Sequence, residues 1–174
     1  MLNSVYQTKA RRIGRASVKP HLQSLILANQ VFQDKESNSF VIAGTFNRLV
    51  FRHNPPEIPV VDGGQSVQPK KKSIKELRAV GSPWLFFSLT DIVGKVECSI
   101  RYVYLKDNQV LFSTNFMIES SDRLATFEHR LPLPVLPIVG EGQYAIEFLA
   151  HNEMIGSLRV IAVPEIVESE NAES

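Results

Sequence analysis

The reactive chemistry this chain could offer rests on four histidines, one cysteine and a scatter of carboxylates. His21, His53, His129 and His151 are far apart, and none shares the short spacing by which zinc ligands are presented. No metal site is expected from them. No serine stands in a Gly-x-Ser-x-Gly turn, and no order of Ser, His and Asp points to a nucleophilic triad. The carboxylate pairs Asp91 with Glu97 and Glu119 with Asp122 flank apolar runs. Acids in such places hydrogen-bond nearby backbone at turns. A glycosidase would instead need two of them facing across a cleft. No loop carries the alternating Asp and Asn of a calcium site. No catalytic residue, metal or cofactor is therefore assigned, and the chain does not read as an enzyme.

The stretch GEGQYAIEF, Gly140 to Phe148, tests one further chemistry. A glycine loop that wraps a phosphate needs a strand before it and a helix N-terminus after it, because the helix supplies aligned N–H groups. Here the glycines come after a proline-bearing segment and lead into a strand pattern. Dinucleotide binding is rejected, and the glycines read as a corner between two sheets. Tyr144, two residues beyond Gly142, has the spacing of a corner tyrosine whose hydroxyl bonds back to upstream backbone.

Three single residues have both a chemical and a packing reading. Cys98 lies on the apolar side of an alternating run, which suits packing better than nucleophilic work. Trp84 could stack on a sugar, but its neighbours Leu85, Phe86 and Phe87 favour burial. His129 falls on the inward side of TFEHRLPL and reads as a core histidine with one hydrogen bond.

Charge is concentrated rather than spread. The formal net charge of +1 gives no whole-domain field for duplex nucleic acid. Residues 1–20 nevertheless hold Lys9, Arg11, Arg12, Arg15 and Lys19 without an acid, and Lys70, Lys71, Lys72, Lys75 and Arg78 stand against Glu76 alone. The end from Pro164 carries only acids. Such runs are usually solvated faces. Their functional reading is docking to an anionic polymer through Arg11, Arg12, Arg15, Lys70, Lys71 and Lys72. No aromatics are interleaved with those lysines, so the stacking half of single-strand nucleic-acid binding is missing and nucleic acid is not expected.

With one cysteine the chain forms no internal disulfide, which tilts the expected compartment toward a reducing cytoplasm. The apolar run LQSLILANQVF is short and interrupted by Gln23 and Ser24, and it lacks a small-x-small cleavage site. No window approaches the roughly 20 apolar residues of a membrane helix, so no membrane partner is expected.

The elements that would position these groups are strands. HLQSLILANQVFQ reads as a strand, DKESNS as a turn and FVIAGTFNRLVF as the return, with Gly44 marking a bulge or kink. Residues 52–83 form a Pro- and Lys-rich loop. Within it Ser73 and Glu76 have capping-box spacing, and Gly81 can close the far end of one short helix at 73–80. PWLFFSLTD is a continuous apolar strand. ECSIRYVY alternates, sending Cys98, Ile100, Tyr102 and Tyr104 to one side, and VLFSTNFMI is its partner across the turn at Asp107-Asn108. Pro132, Pro134 and Pro137 make PLPVLPIVGEG a crossing, and QYAIEFLA with SLRVIAV closes the chain as a hairpin.

Two segments also resemble a known family. LILANQVFQDKESNSFVIAGTFNRLVF is similar to the opening hairpin, and LPLPVLPIVGEGQYAIEFLAHNEMIGSLRVIAV to the closing segment, of a bacterial all-β family classed as a domain of unknown function. The resemblance covers roughly residues 22–163 and departs at the insertion before Trp84. It implies a β-sandwich in a bacterial protein and supplies no functional residues.

The expected fold is a single antiparallel two-layer β-sandwich over 21–163, immunoglobulin-like, with about seven to nine strands. A basic arm (1–20) and an acidic tail (164–174) flank it. The expected function is a non-enzymatic binding or scaffolding module, whose partner is a protein or a second copy joined through a sheet edge. One alternative is a carbohydrate-binding sandwich or glycoside hydrolase built on Trp84 and the paired carboxylates. The other is electrostatic docking of an anionic polymer on the basic segments.

Overall fold

The computed structural model describes residues 19–51 and 81–165. The expected helix at 73–80 lies outside them, as do most of the arm, the 52–83 loop and the acidic tail. Among the described residues every regular element is a strand: β1 (His21–Gln33), β2 (Phe40–Thr45), β3 (Arg48–Phe51), β4 (Trp84–Thr90), β5 (Gly94–Tyr104), β6 (Gln109–Ser120), β7 (Phe127–Pro132), β8 (Gly142–Ala150) and β9 (Glu153–Pro164). They form two sheets, one of four strands in the order β2-β1-β4-β7 and one of five in the order β3-β9-β8-β5-β6.

The β1–β2 hairpin closes on Asp34. Its Oδ1 accepts the N–H of Glu36 (2.9 Å) and of Ser37 (2.7 Å), while Asn38 takes the left-handed conformation that the turn requires. The stretch FVIAGTFNRLVF, expected to be one return strand, is two. β2 ends at Thr45, just after Gly44 at φ +66°. The chain then crosses sheets, with Phe46 N–H donating to the Leu27 carbonyl and Asn47 carbonyl accepting from Ile161 N–H. β3 runs parallel to β9, from Arg48 opposite Ile161 to Phe51 opposite Pro164. The expectation of antiparallel pairing throughout is corrected: the five-stranded sheet is mixed. The two-residue crossing, Phe46 and Asn47, hands the chain to the second sheet, where β3 pairs with the last strand.

The strand patterns explain one shared core. In β4, Leu85, Phe87 and Leu89 are fully buried, and they join Ile100 and Tyr102 of β5 and Ile146 and Phe148 of β8 in one cluster. Phe87 stands between the sheets, 4.9 Å from Phe148 and 5.7 Å from Phe116 of β6 between ring centroids. Burying such a side chain contributes about 1.5–3 kcal/mol. The alternate residues Trp84 and Phe86 join Ala28 and Val31 of β1 in a second, smaller cluster. This is why β4 reads as an unbroken apolar run: both of its faces are covered.

The corner before β8 is built as its glycines and tyrosine suggest. Tyr144 hydroxyl donates to the Gly140 carbonyl (2.7 Å) and accepts the N–H groups of Val139 (3.1 Å) and Gly140 (3.2 Å). Gly142 has φ +142°, a conformation that side chains rarely adopt, and its Cα faces the Tyr104 ring, which a Cβ would touch at 3.4 Å. Tyr104 in turn donates to the Glu141 carbonyl at 3.1 Å. Three tyrosines thus line the corner, with Tyr102 stacked on Tyr144 at 5.3 Å.

Candidate functional site

The residues whose types could do chemistry are dispersed by this fold. Trp84 opens β4 and Asp91 comes just after its end, so about 20 Å of strand separates them. Trp84 is half-buried, and the Arg130 guanidinium lies over its ring at 5.1 Å from the centroid. Asp91 instead accepts from Arg123 Nε at 2.7 Å, and Glu119 stands 4.0 Å from Lys95. Asp122 Oδ1 accepts the Leu124 N–H at 2.9 Å, the turn role expected of it. The structure does not bring Trp84 and these acids together.

His129 does face the side of Phe87, with ring centroids 5.8 Å apart, but on the edge strand β7 it is exposed, and no hydrogen bond to its ring is found among the described residues. The reading of a core histidine is corrected, since alternation gives the face of a strand and not its place in the sheet. The His129 ring packs beside Phe87 and Phe127, and partial burial, then the Arg130 charge, hold its pKa below the ordinary histidine value. Among the described residues no three His, Cys, Asp or Glu side chains gather as a metal would require. Arg11, Arg12, Arg15, Lys70, Lys71, Lys72 and His53 lie outside the described residues.

Cys98 is buried, and desolvation, with the Glu97 charge beside it, pushes its thiol up to about 11. That is an inert thiol. An open pocket of about 300 Å³ lies where the chain crosses between sheets. It is lined by Leu25, Leu27, Phe46 and Leu158 with Thr45 and Asn47, and so offers neither an acid nor a base.

What the fold does present is an open sheet edge. A strand without a second neighbour shows a row of unpaired N–H and C=O groups, and proteins normally blunt such rows with shortness, charge, proline or bulges. Among the described residues three of the four edges are blunted. β3 is four residues long, β2 is six and stops after the left-handed Gly44, and β7 carries Glu128, His129 and Arg130 and ends in Pro132.

β6 differs from the other three. It is twelve residues long, pairs only with β5 among the described residues, and carries no charge from Gln109 to Ile118. Along it Phe112, Thr114 and Phe116 sit opposite Tyr102, Ile100 and Cys98, so they face the core but remain half-buried. Ser113, Asn115 and Met117 face outward, opposite Arg101, Ser99 and Glu97, and Met117 is 60% exposed. The one interruption is a bulge at Leu111, where the register to β5 shifts between Tyr102 and Val103. On the same face Arg101 is held by Glu147 of β8 at 2.8 Å.

Sequence alone marked β6 as a strand and as the partner of β5. Its uncharged length was a visible signal, but an edge is a property of sheet order. No family model and no curated protein matches the chain. Among the described residues no helix is long and apolar enough to cross a membrane.

Proposed function

We propose that this protein is a non-enzymatic binding or scaffolding module, an immunoglobulin-like two-layer sandwich that takes a protein partner on the free edge of β6. A partner strand would complete the backbone hydrogen bonds of β6 and cover Phe112, Phe116 and Met117, the mode of strand addition used by many peptide-binding domains. The observation that carries this reading is the contrast between β6 and the three blunted edges. Dispersal of the polar side chains supports it too, since the pocket at the crossing has no group to do chemistry. The corner tyrosine supports the immunoglobulin-like form. The same reading includes membership of the bacterial family the chain resembles, and a cytoplasmic setting.

The test is capture from native lysate by the intact chain, by forms lacking residues 1–20 and 66–78, and by a Ser113→Lys/Asn115→Lys variant. Both substituted side chains are exposed on β6 and would surround its edge with charge. A protein held by the first three and released by the lysine variant is expected. Capture that survives the lysines but fails without the basic segments would contradict the reading and point to electrostatic docking.

A further inference from the structure

We infer that the strand added to β6 is the β6 of a second copy of this chain, placed antiparallel across a two-fold axis at Thr114. This rests on β6 being a binding edge and goes on to name its occupant. In a two-fold contact each residue i meets residue j and each j meets i, so a strand that pairs with itself must match its own reverse. β6 does so from Phe112 to Phe116. Around Thr114 stand Ser113 and Asn115, then Phe112 and Phe116; beyond them the bulge ends the match, with Leu111 packed against the core and Met117 exposed. The first pair is alike in polarity and the second is identical. A strand that served an unrelated partner would be under no constraint to read alike in both directions.

The structure makes this symmetry usable. The bulge falls at Leu111, so Phe112 to Phe116 is regular strand, and that is the part centred on Thr114. Two-fold pairing sets Phe112 of each copy opposite Phe116 of the other, on the side where both rings already rest against the core. Aromatic cross-strand pairs of this kind stabilise sheets. It also sets Ser113 opposite Asn115 on the outer face. No like charges meet along the contact, because β6 carries no charge from Gln109 to Ile118. The five-stranded sheets would then continue into one sheet of roughly twice the width, with both open edges closed.

The contact is a single strand wide, so its strength is expected to be modest and its mass concentration-dependent. The experiment is sedimentation of three full-length chains over a range of concentrations. The wild type should move from the 19.6 kDa of one chain toward twice that mass. Ser113→Lys/Asn115→Lys, which gathers four lysines at the axis, should stay at the mass of one chain. Ser113→Lys/Asn115→Glu should regain the doubled mass, because each introduced lysine then faces an introduced glutamate of the other copy. The charge pattern thereby reports the register and does not depend on either variant's stability.

A wild type that stays single at every concentration overturns the inference, and so does a dimer indifferent to the lysines. If a single wild type still captures a β6-dependent partner from lysate, the binding-edge reading survives without self-pairing. If neither occurs, both fail.

Discussion

Tyr144 is the residue through which the corner before β8 is held. Its hydroxyl serves one carbonyl and two N–H groups of a segment without strand neighbours of its own. Replacing it by Phe leaves those groups unmet, and Tyr144→Phe is expected to lower stability by about 1–3 kcal/mol in chemical denaturation. Its stacked neighbour gives the opposite expectation. The Tyr102 hydroxyl is buried with no partner, and desolvation raises its pKa. Tyr102→Phe removes an unsatisfied group without leaving a hole, and should match or exceed the wild type by up to about 1 kcal/mol. A clear loss would show that the hydroxyl is engaged.

Cys98 adds a pH dependence. Its thiol is raised from 9.0 to about 11, so the fold favours the protonated form. That contribution is complete below about pH 9 and is lost as pH climbs through 11, where the raised phenols of Tyr102 and Tyr144 act in the same direction. Stability at pH 10.5 should fall below that at pH 8, and a thiol reagent should modify Cys98 only after unfolding. Rapid modification of the native chain would contradict its burial.

At the level of elements, strands were legible wherever a buried face imposed alternation. Cys98, Ile100, Tyr102 and Tyr104 were read from ECSIRYVY as one side, and all four are buried. The corner glycines were legible because only a few geometries set Gly-x-Gly-x-Tyr before a strand. The split between β2 and β3 was not. Phe46 and Asn47 continue the polar and apolar texture of their neighbours, so nothing but Gly44 shows where the chain changes sheet. Gly44 is left-handed, and a Cβ on it would meet the Asn29 side chain. Gly44→Ala should therefore cost about 1–2 kcal/mol in a thermal or denaturant titration, as a left-handed non-glycine residue does. The exposure of His129 has the same origin. Its alternation is correct, but its place on β7 lacks a covering neighbour strand, which only sheet order reveals.

Across the whole molecule, two sheets draw on one core, with Phe87 linking four strands to five. Much of the apolar and aromatic surface is buried in that core, while Asp122 ends in a turn, Asp91 and Arg101 in ion pairs and Cys98 in apolar surroundings. Among the described residues the edge of β6 is the surface on which we propose that another chain is recognised. Amide hydrogen exchange along β6 tests that directly, because unpaired edge N–H groups exchange quickly and paired ones do not. Protection from Phe112 to Phe116 should rise as the protein is concentrated, while β3 and β7 keep their dilute-solution rates. Rates in β6 that stay the same from dilute to concentrated solution would contradict self-pairing at this edge.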